Sequence, residues 1–544
     1  MRKHAIKGSM NRREIISLLG AGGAVSLAGC TEADESEQDE GATNPETDGK
    51  MGGTLRVSTT GQQEDLNPLT HTSYTEYIAT QLLYSNLTQV NSDLSLRGDL
   101  AHDWESIDGG EAWIFHLKDY ATWTNGDSVT ASDVKATLDA IEDEDYLSDA
   151  RGELGPIDNV EVLDSTTVQI NLSSPYGDIP RKMAEVNARI IPESVVEAGP
   201  ESDAYLGLSN EPQGSGAFTL EEFTPADRLV FAARDDYWKE GEDGNQLPYV
   251  DEVIHVTQPE TSTRINSLRD ESIDHMFRVP PDQFDQVESM SGVTSGEMEG
   301  AWFYPVMMDA DTEPFDDVRV RQAVKYAVDK EEMLLSAAGG RGTIAQHTPI
   351  SPAHTYYADL DDRFGVNAEI EEAQALMDEA GYSDGYELDE PLLVSPDHGG
   401  PMGPTAVLLQ EQLREIGIEF EIENMPWTDF LGAYDDAPMY VTSYGMRLVD
   451  DGILTLVYMS DGAWNNYNWA NEEFDEALEN AMRSVDEEET QEHYTRAQEI
   501  IQEDCPQVIP FFMDRLDGYQ DYVQGYEMEP TAFRYNAEDV WLQE

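Results

Sequence analysis

Pro314-Phe315-Asp316-Asp317-Val318-Arg319-Val320-Arg321-Gln322-Ala323-Val324, continuing through Lys325 to Tyr326-Ala327-Val328-Asp329-Lys330, carries the strongest fold signal in the chain. Apolar residues at 318, 320, 324, 327 and 328 share one helical face. Asp316 and Asp317 stand ahead of that run, where the positive end of the helix dipole favours acids. Arg319 and Arg321 are expected to pair with structural carboxylates. Outward from this helix, strand patterns over 52–57, 112–118, 167–172, 228–233, 252–257 and 419–423 alternate with helix patterns over 130–141, 373–380, 405–416 and 474–482. Thr130-Ala131-Ser132-Asp133 supplies cap residues, and Gly381 and Gly417 follow periodic runs where C-caps belong. The alternation predicts an α/β architecture with sheets covered by helices. About 490 residues follow position 51, more than one core usually supports, so at least two lobes are expected. No repeat of 20–50 residues is visible.

The surface chemistry is extreme. The chain has 110 acidic and 32 basic residues, a formal charge of −78. Apolar residues still make up 39%, enough for sizeable cores. Such a surface repels nucleic acid and anionic lipid, which excludes a polyanion partner. An acidic, lysine-poor surface (9 Lys against 23 Arg) fits a salt-loving host. At molar salt the Debye length falls to about 3 Å and self-repulsion is screened.

The first thirty residues have the order of an export signal. Arg12-Arg13 form a twin-arginine pair, an apolar run covers 15–28, and Leu27-Ala28-Gly29-Cys30 resembles a lipoprotein box. The run is too short for the roughly twenty residues a membrane-crossing helix needs. The expectation is export of the folded protein, cleavage before Cys30, and a lipid on its sulfur, anchoring the protein to the outer face of the cell membrane. Residues 31–50 hold eight acids, one base and no aromatic or branched aliphatic side chain, and read as a disordered leash. Cys505 then has no intrachain partner and, before the apolar run 508–513, reads as a buried thiol.

Catalytic and metal motifs are missing from the sequence. There is no Gly-x-Ser-x-Gly, His-Glu-x-x-His, Gly-x-x-x-x-Gly-Lys-Ser/Thr or Cys-x-x-Cys. The ten histidines are scattered, so no metal and no cofactor is expected. Among 110 acids a carboxylate pair carries no information about glycosidase chemistry. Gly214-Ser215-Gly216 lacks the context of a nucleotide cradle and reads as a turn with close backbone approach. Trp104, Trp113, Trp123 and Trp238 read as core. Asn86-Leu87-Thr88 and Asn171-Leu172-Ser173 match the glycosylation acceptor pattern.

Several segments in order resemble one family. Leu66-Asn67-Pro68-Leu69 with Leu82-Leu83-Tyr84-Ser85-Asn86-Leu87, Asp99-Leu100-Ala101-His102-Asp103-Trp104-Glu105, Phe115-His116-Leu117-Lys118, Trp123-Thr124-Asn125-Gly126-Asp127, Gln213-Gly214-Ser215-Gly216-Ala217-Phe218, Asp236-Tyr237-Trp238 and the 314–330 stretch match family 5 extracellular solute-binding proteins, the peptide- and nickel-type binding proteins of ABC importers. The resemblance implies a two-lobed periplasmic-binding-protein type II fold with an extra subdomain. It implies lobe I at 51–302, lobe II at 303–511, and a return to lobe I at 512–544, with hinge crossings near 302–308 and 508–513. A ligand between the lobes would meet Thr72, Ser73 and Tyr74 after the Asn-Pro segment. It would also meet Trp427, for which a core role stays open, and the 445–451 loop.

Departures from the family pattern bear on the ligand. Met446 replaces the loop's tryptophan, and Asp450 is the best match to the acid that holds a peptide amino group. The loop Ser395-Pro396-Asp397-His398-Gly399-Gly400-Pro401-Met402 lacks the arginine that would hold a peptide carboxylate, leaving His398 as its side-chain candidate and Arg447 as a replacement cation. A salt bridge to a neighbouring acid is the other role open to Arg447. Asn466, Tyr467 and Asn468 suit hydrogen bonding and stacking on a sugar, but the favoured reading of this stretch is the family's usual loop before the helix starting near Asn471. The implied function is capture of a small solute, a peptide first, by a monomer that delivers it to ABC permease subunits with cytoplasmic ATPases. An oligosaccharide or nickel/metal-chelate ligand, a surface-anchored hydrolase and a chemosensory or scaffold role are the alternatives.

The charge pattern yields a direct expectation: the protein loses stability in low salt. Equal melting temperatures in dilute and molar KCl would contradict it.

Overall fold

The computed structural model describes residues 51–543 except Gln62, Asp362, Gly399 and Ala532. The export signal with Arg12 and Arg13, the lipidation candidate Cys30 and the 31–50 leash lie outside the described residues.

Two sheets organise the described chain into two lobes. The larger, 8-stranded sheet runs in the order Val293–Phe303, Phe511–Gln520, His275–Met276, Thr54–Thr59, Glu252–Thr257, Arg228–Ala233, Phe218–Thr224, with Gly342–Ile344 pairing onto Phe511–Gln520. Its central strand Thr54–Thr59 pairs in parallel on both sides, and Leu55 and Val57 are fully buried. A separate antiparallel sheet of Ala101–Ile107, Ala112–Leu117, Thr167–Leu172 and Ile157–Asp164 belongs to the same side of the molecule, and its Phe115, Val168 and Ile170 join the large core. The second lobe is built on a 5-stranded sheet: Ile422–Asn424, Leu392–Val394, Met439–Val441, Val306–Met308, Gln507–Val508.

The chain passes between the sheets at two adjacent places. Val293–Phe303 leads through Tyr304-Pro305 into Val306–Met308, and Gln507–Val508 leads through Ile509-Pro510 into Phe511–Gln520. The two passages run side by side, with Phe303 opposite Phe512 in one sheet and Val306 opposite Val508 in the other.

The helix that anchors the sequence reading spans Val318–Ala327. Asp317 caps it by accepting the Arg319 N–H at 2.9 Å. Val320, Ala323, Val324 and Ala327 pack into the second lobe's core, whereas Val318, at the first helical position, is exposed. Arg319 pairs with Asp317 and Arg321 with Asp504 at 2.6 Å, as expected of structural cations. Arg321 also donates to the Asp504 carbonyl, and Lys325 donates to the carbonyls of Ile501 and Gln502. Both cations thus satisfy the end of helix Glu487–Asp504, where free carbonyls and the dipole favour positive charge. Burial pushes the Lys325 ammonium down to about 7.

Most expected elements form, including Ala131–Glu142 with a Thr130–Asp133 capping box and Gly381 as a left-handed C-cap. The strand expected over 419–423 is two short strands instead. Ile418–Glu419 pairs with Tyr386–Glu387 and Ile422–Asn424 with Leu392–Val394. Gly214 makes the expected close approach: a Cβ there would lie 1.7 Å from the Leu83 carbonyl oxygen. Trp123 is core, and Trp104, Trp113 and Trp238 pack half-buried against it. Cys505 is fully buried, with its thiol pushed up to about 12 by desolvation. Asn86 is buried and donates to the carbonyls of Met183 and Glu185, so it cannot carry a glycan.

Candidate functional site

A cavity of about 580 Å³ lies between the lobes. One wall comes from residues 142–187 of the first lobe, including Glu153, Tyr176, Lys182 and Asn187. The other comes from residues 447–483 of the second, including Arg447, Asp451 and Thr455. Its volume is within the roughly 300–1,000 Å³ range of small-ligand clefts.

Polar contacts join the two walls. Tyr176 donates its hydroxyl to the Asp451 carboxylate, and Lys182 stands 3.7 Å from the same acid. The Leu448 N–H donates to Glu185 at 3.2 Å, and the Gly177 N–H to the Met482 carbonyl at 2.9 Å. Burial pushes the Tyr176 hydroxyl at this seam well above its ordinary value. The Glu153 carboxyl is raised by desolvation, an effect the nearby Arg447 charge partly offsets.

Arg447 differs from the cavity's other cations. Lys182 has Asp451, and Arg483 has Glu479 at 2.8 Å. Among the described residues no carboxylate lies within ion-pair distance of Arg447; its guanidinium sits 5.6 Å over the Trp464 ring. Of its two expected roles, the geometry leaves it unpaired rather than in a surface salt bridge.

The remaining expected residues separate into groups. Asp450 is enclosed rather than presented to the cavity. Its carboxylate accepts the Tyr356 N–H at 2.6 Å, and desolvation raises it to about 7. Its neighbour Asp451 is the acid on the cavity wall. Tyr467 is a core residue, fully buried, with its hydroxyl donating to the Val457 carbonyl. Asn466 donates to the Tyr434 hydroxyl and Asn468 to Asp309, so this amide cluster braces its own lobe and does not line the cavity. Local hydrogen bonding within the 465–469 turn explains the difference, since Asn465 also holds the carbonyls of Met459 and Trp469.

Thr72 is exposed, while Ser73 caps helix Tyr74–Leu83 in a capping box with Glu76. Tyr74 hydrogen-bonds Thr60 and stacks on Phe277. On the second lobe His398 stacks on Trp427 with ring centres 3.7 Å apart, and its Nε2 lies 3.0 Å from the Ser443 hydroxyl. Trp427 also stacks on Phe430, so one half-buried ring serves both core and surface.

Sequence reasoning missed an aromatic wall where the lobes meet. Trp302 packs on Phe533 at 5.7 Å and Phe533 on Tyr77 at 5.8 Å. Gly445 of the second lobe abuts both Phe533 and Trp302; a Cβ there would lie 2.9 and 3.1 Å from them. Only the glycine hinted at this close approach. Tyr176, Lys182 and Asp451 were also missed, because nothing local in sequence marks a contact spanning 275 positions.

Comparison with known proteins places these features in context. A family model described as bacterial extracellular solute-binding proteins, family 5, middle region, matches residues 95–466. The oligopeptide-binding protein AppA of Bacillus subtilis is 25% identical over 541 residues, covering 95% of this chain and 96% of that protein. The substrate-binding protein CtaP of Listeria monocytogenes superposes with a TM-score of 0.81 at 22% identity, covering 91% of this chain and 100% of that one. DppA of Helicobacter pylori, solved with the peptide STSA, superposes with a TM-score of 0.76 at 20% identity, covering 92% and 100%. The two-lobed architecture is therefore the periplasmic-binding-protein fold.

Proposed function

We propose that this chain, which belongs to family 5 of the bacterial extracellular solute-binding proteins, captures a peptide between its lobes outside the cytoplasm and delivers it to an ABC permease. The observation that carries the reading is the inter-lobe cavity with Arg447 unpaired on one wall and Glu153 on the other. A guanidinium suits a peptide carboxylate, and a carboxylate suits its amino terminus. AppA and DppA, named for oligopeptide binding or solved with a peptide, support the same ligand class. The groups that join the lobes would then close behind the ligand, as in hinge closure. Binding, rather than catalysis, is the chemistry.

Export by the Arg12-Arg13 signal and a lipid on Cys30 complete the reading, with 31–50 as tether. A Cys30→Ser variant should appear in the medium instead of the membrane fraction; unchanged membrane retention would remove the anchor from the account.

The ligand test is mass spectrometry of what co-purifies in molar salt, followed by calorimetric titration. A peptide is expected, bound roughly 10- to 100-fold more weakly by Arg447→Gln. A co-purifying saccharide, or a protein that no peptide binds or stabilises, would contradict the proposal.

A further inference from the structure

We propose that Arg278 is a second anion anchor of the inter-lobe cleft, and that the preferred ligand carries two separated anionic groups. This rests on the peptide-capture reading for the ligand's class, but not for the anchor itself.

Arg278 is a half-buried cation held in place without any partner for its charge. Its guanidinium carbon lies 4.7 Å from the Tyr74 ring centre and 4.5 Å from that of Trp302. Its backbone is fixed from both sides. The N–H donates to Asp517 at 2.9 Å, and the carbonyl accepts from the buried Arg264 at 3.3 Å. These contacts hold it at a φ of 58°, the left-handed region that an arginine adopts at a cost. Among the described residues the guanidinium makes no hydrogen bond and no ion pair.

Cation–π contact uses the guanidinium faces and leaves the in-plane N–H donors for a carboxylate. A second donor stands beside it: the Trp302 indole N–H is buried with no acceptor. A buried donor left without an acceptor is costly, and a ligand oxygen would relieve that cost. Two neighbouring donors without acceptors call for an acceptor-rich, anionic group.

The position lies where the lobes meet, beside the cavity of about 580 Å³ and not on its lining. Trp302 packs against Gly445 of the opposite lobe, two residues before Arg447. Tyr304, next along the same passage, meets Gly400 of the loop that lacks an arginine; a Cβ on Gly400 would lie 2.1 Å from the Tyr304 hydroxyl. Arg278 therefore stands on the first lobe against Trp302, two residues before the tyrosine that meets the loop without an arginine. The row Trp302, Phe533, Tyr77 runs from Arg278 toward the Arg447 side. Two guanidiniums at opposite ends of an apolar wall match a peptide with an acidic side chain in addition to its carboxyl terminus.

The test is calorimetric titration of the full chain in molar KCl with Ala-Ala-Ala, Ala-Glu-Ala, Ala-Lys-Ala and glutarate. Ala-Glu-Ala should bind at least ~10-fold tighter than Ala-Ala-Ala, and Ala-Lys-Ala weakest. Arg278→Gln should erase that preference while changing Ala-Ala-Ala affinity by less than ~3-fold. Arg278→Lys should restore part of it, which a merely structural arginine would not do. If no peptide binds but glutarate does, with Arg278 required, the anchor stands and the peptide reading falls. Equal or tighter binding of Ala-Lys-Ala, an acidic preference that survives Arg278→Gln, or no binding of any of the four would overturn the anchor.

Discussion

Everything in this molecule depends on two chain passages that lie side by side. At Tyr304-Pro305 and Ile509-Pro510 the backbone leaves one sheet and enters the other, and the flanking strands pair with each other on both sides. Two prolines at the crossings lack N–H donors, so neither can be drawn into a continuous ladder there. The Pro305 and Pro510 carbonyls still accept, from the N–H groups of Thr442 and Ala345. The result joins two sheets through a narrow, antiparallel pair of connections. Such a link can bend without breaking either core.

That constraint explains where polar chemistry gathers. Each lobe has its own large apolar core, and the seam between them holds one small apolar cluster and, beside it, polar groups that tolerate both wet and dry surroundings. Tyr176, Lys182 and Glu185 on one side meet Asp451 and Leu448 on the other. A seam made of a few hydrogen bonds, one ion pair, one glycine–aromatic contact and a small apolar cluster, in which Met446 and Leu448 meet Val90, Leu94 and Ala184, can part and re-form. A continuous hydrophobic interface would weld the lobes together. Arg447 and Arg278 stand on this seam with no carboxylate within ion-pair distance among the described residues and an aromatic ring against each guanidinium.

Much of the fold was legible in sequence because its elements are set locally. Helix Val318–Ala327 announces itself by its apolar spacing and its Asp317 cap, and the strands Thr167–Leu172, Arg228–Ala233 and Glu252–Thr257 by alternation between turns. The site was legible only in part. Arg447 could be singled out because the loop at 395–402 lacks a cation. Asp450 and Asp451 are adjacent acids, however, and which one faces a cavity depends on the backbone turn between them. The amide cluster at 465–468 had sugar-binding composition, but its donors are consumed by Tyr434, Asp309 and nearby carbonyls. Arg278 was invisible because its significance is a missing partner, and only a three-dimensional arrangement shows which charges stay alone.

The central claim is that the lobes close on a ligand through flexing at the two passages. Small-angle X-ray scattering in molar KCl, on ligand-stripped protein and on the same sample saturated with the peptide it binds, tests this most directly. The account predicts a smaller radius of gyration and a shorter maximum dimension on saturation, with the loaded profile matching the present structure. Superimposable profiles at proven saturation would contradict it and describe a rigid receptor.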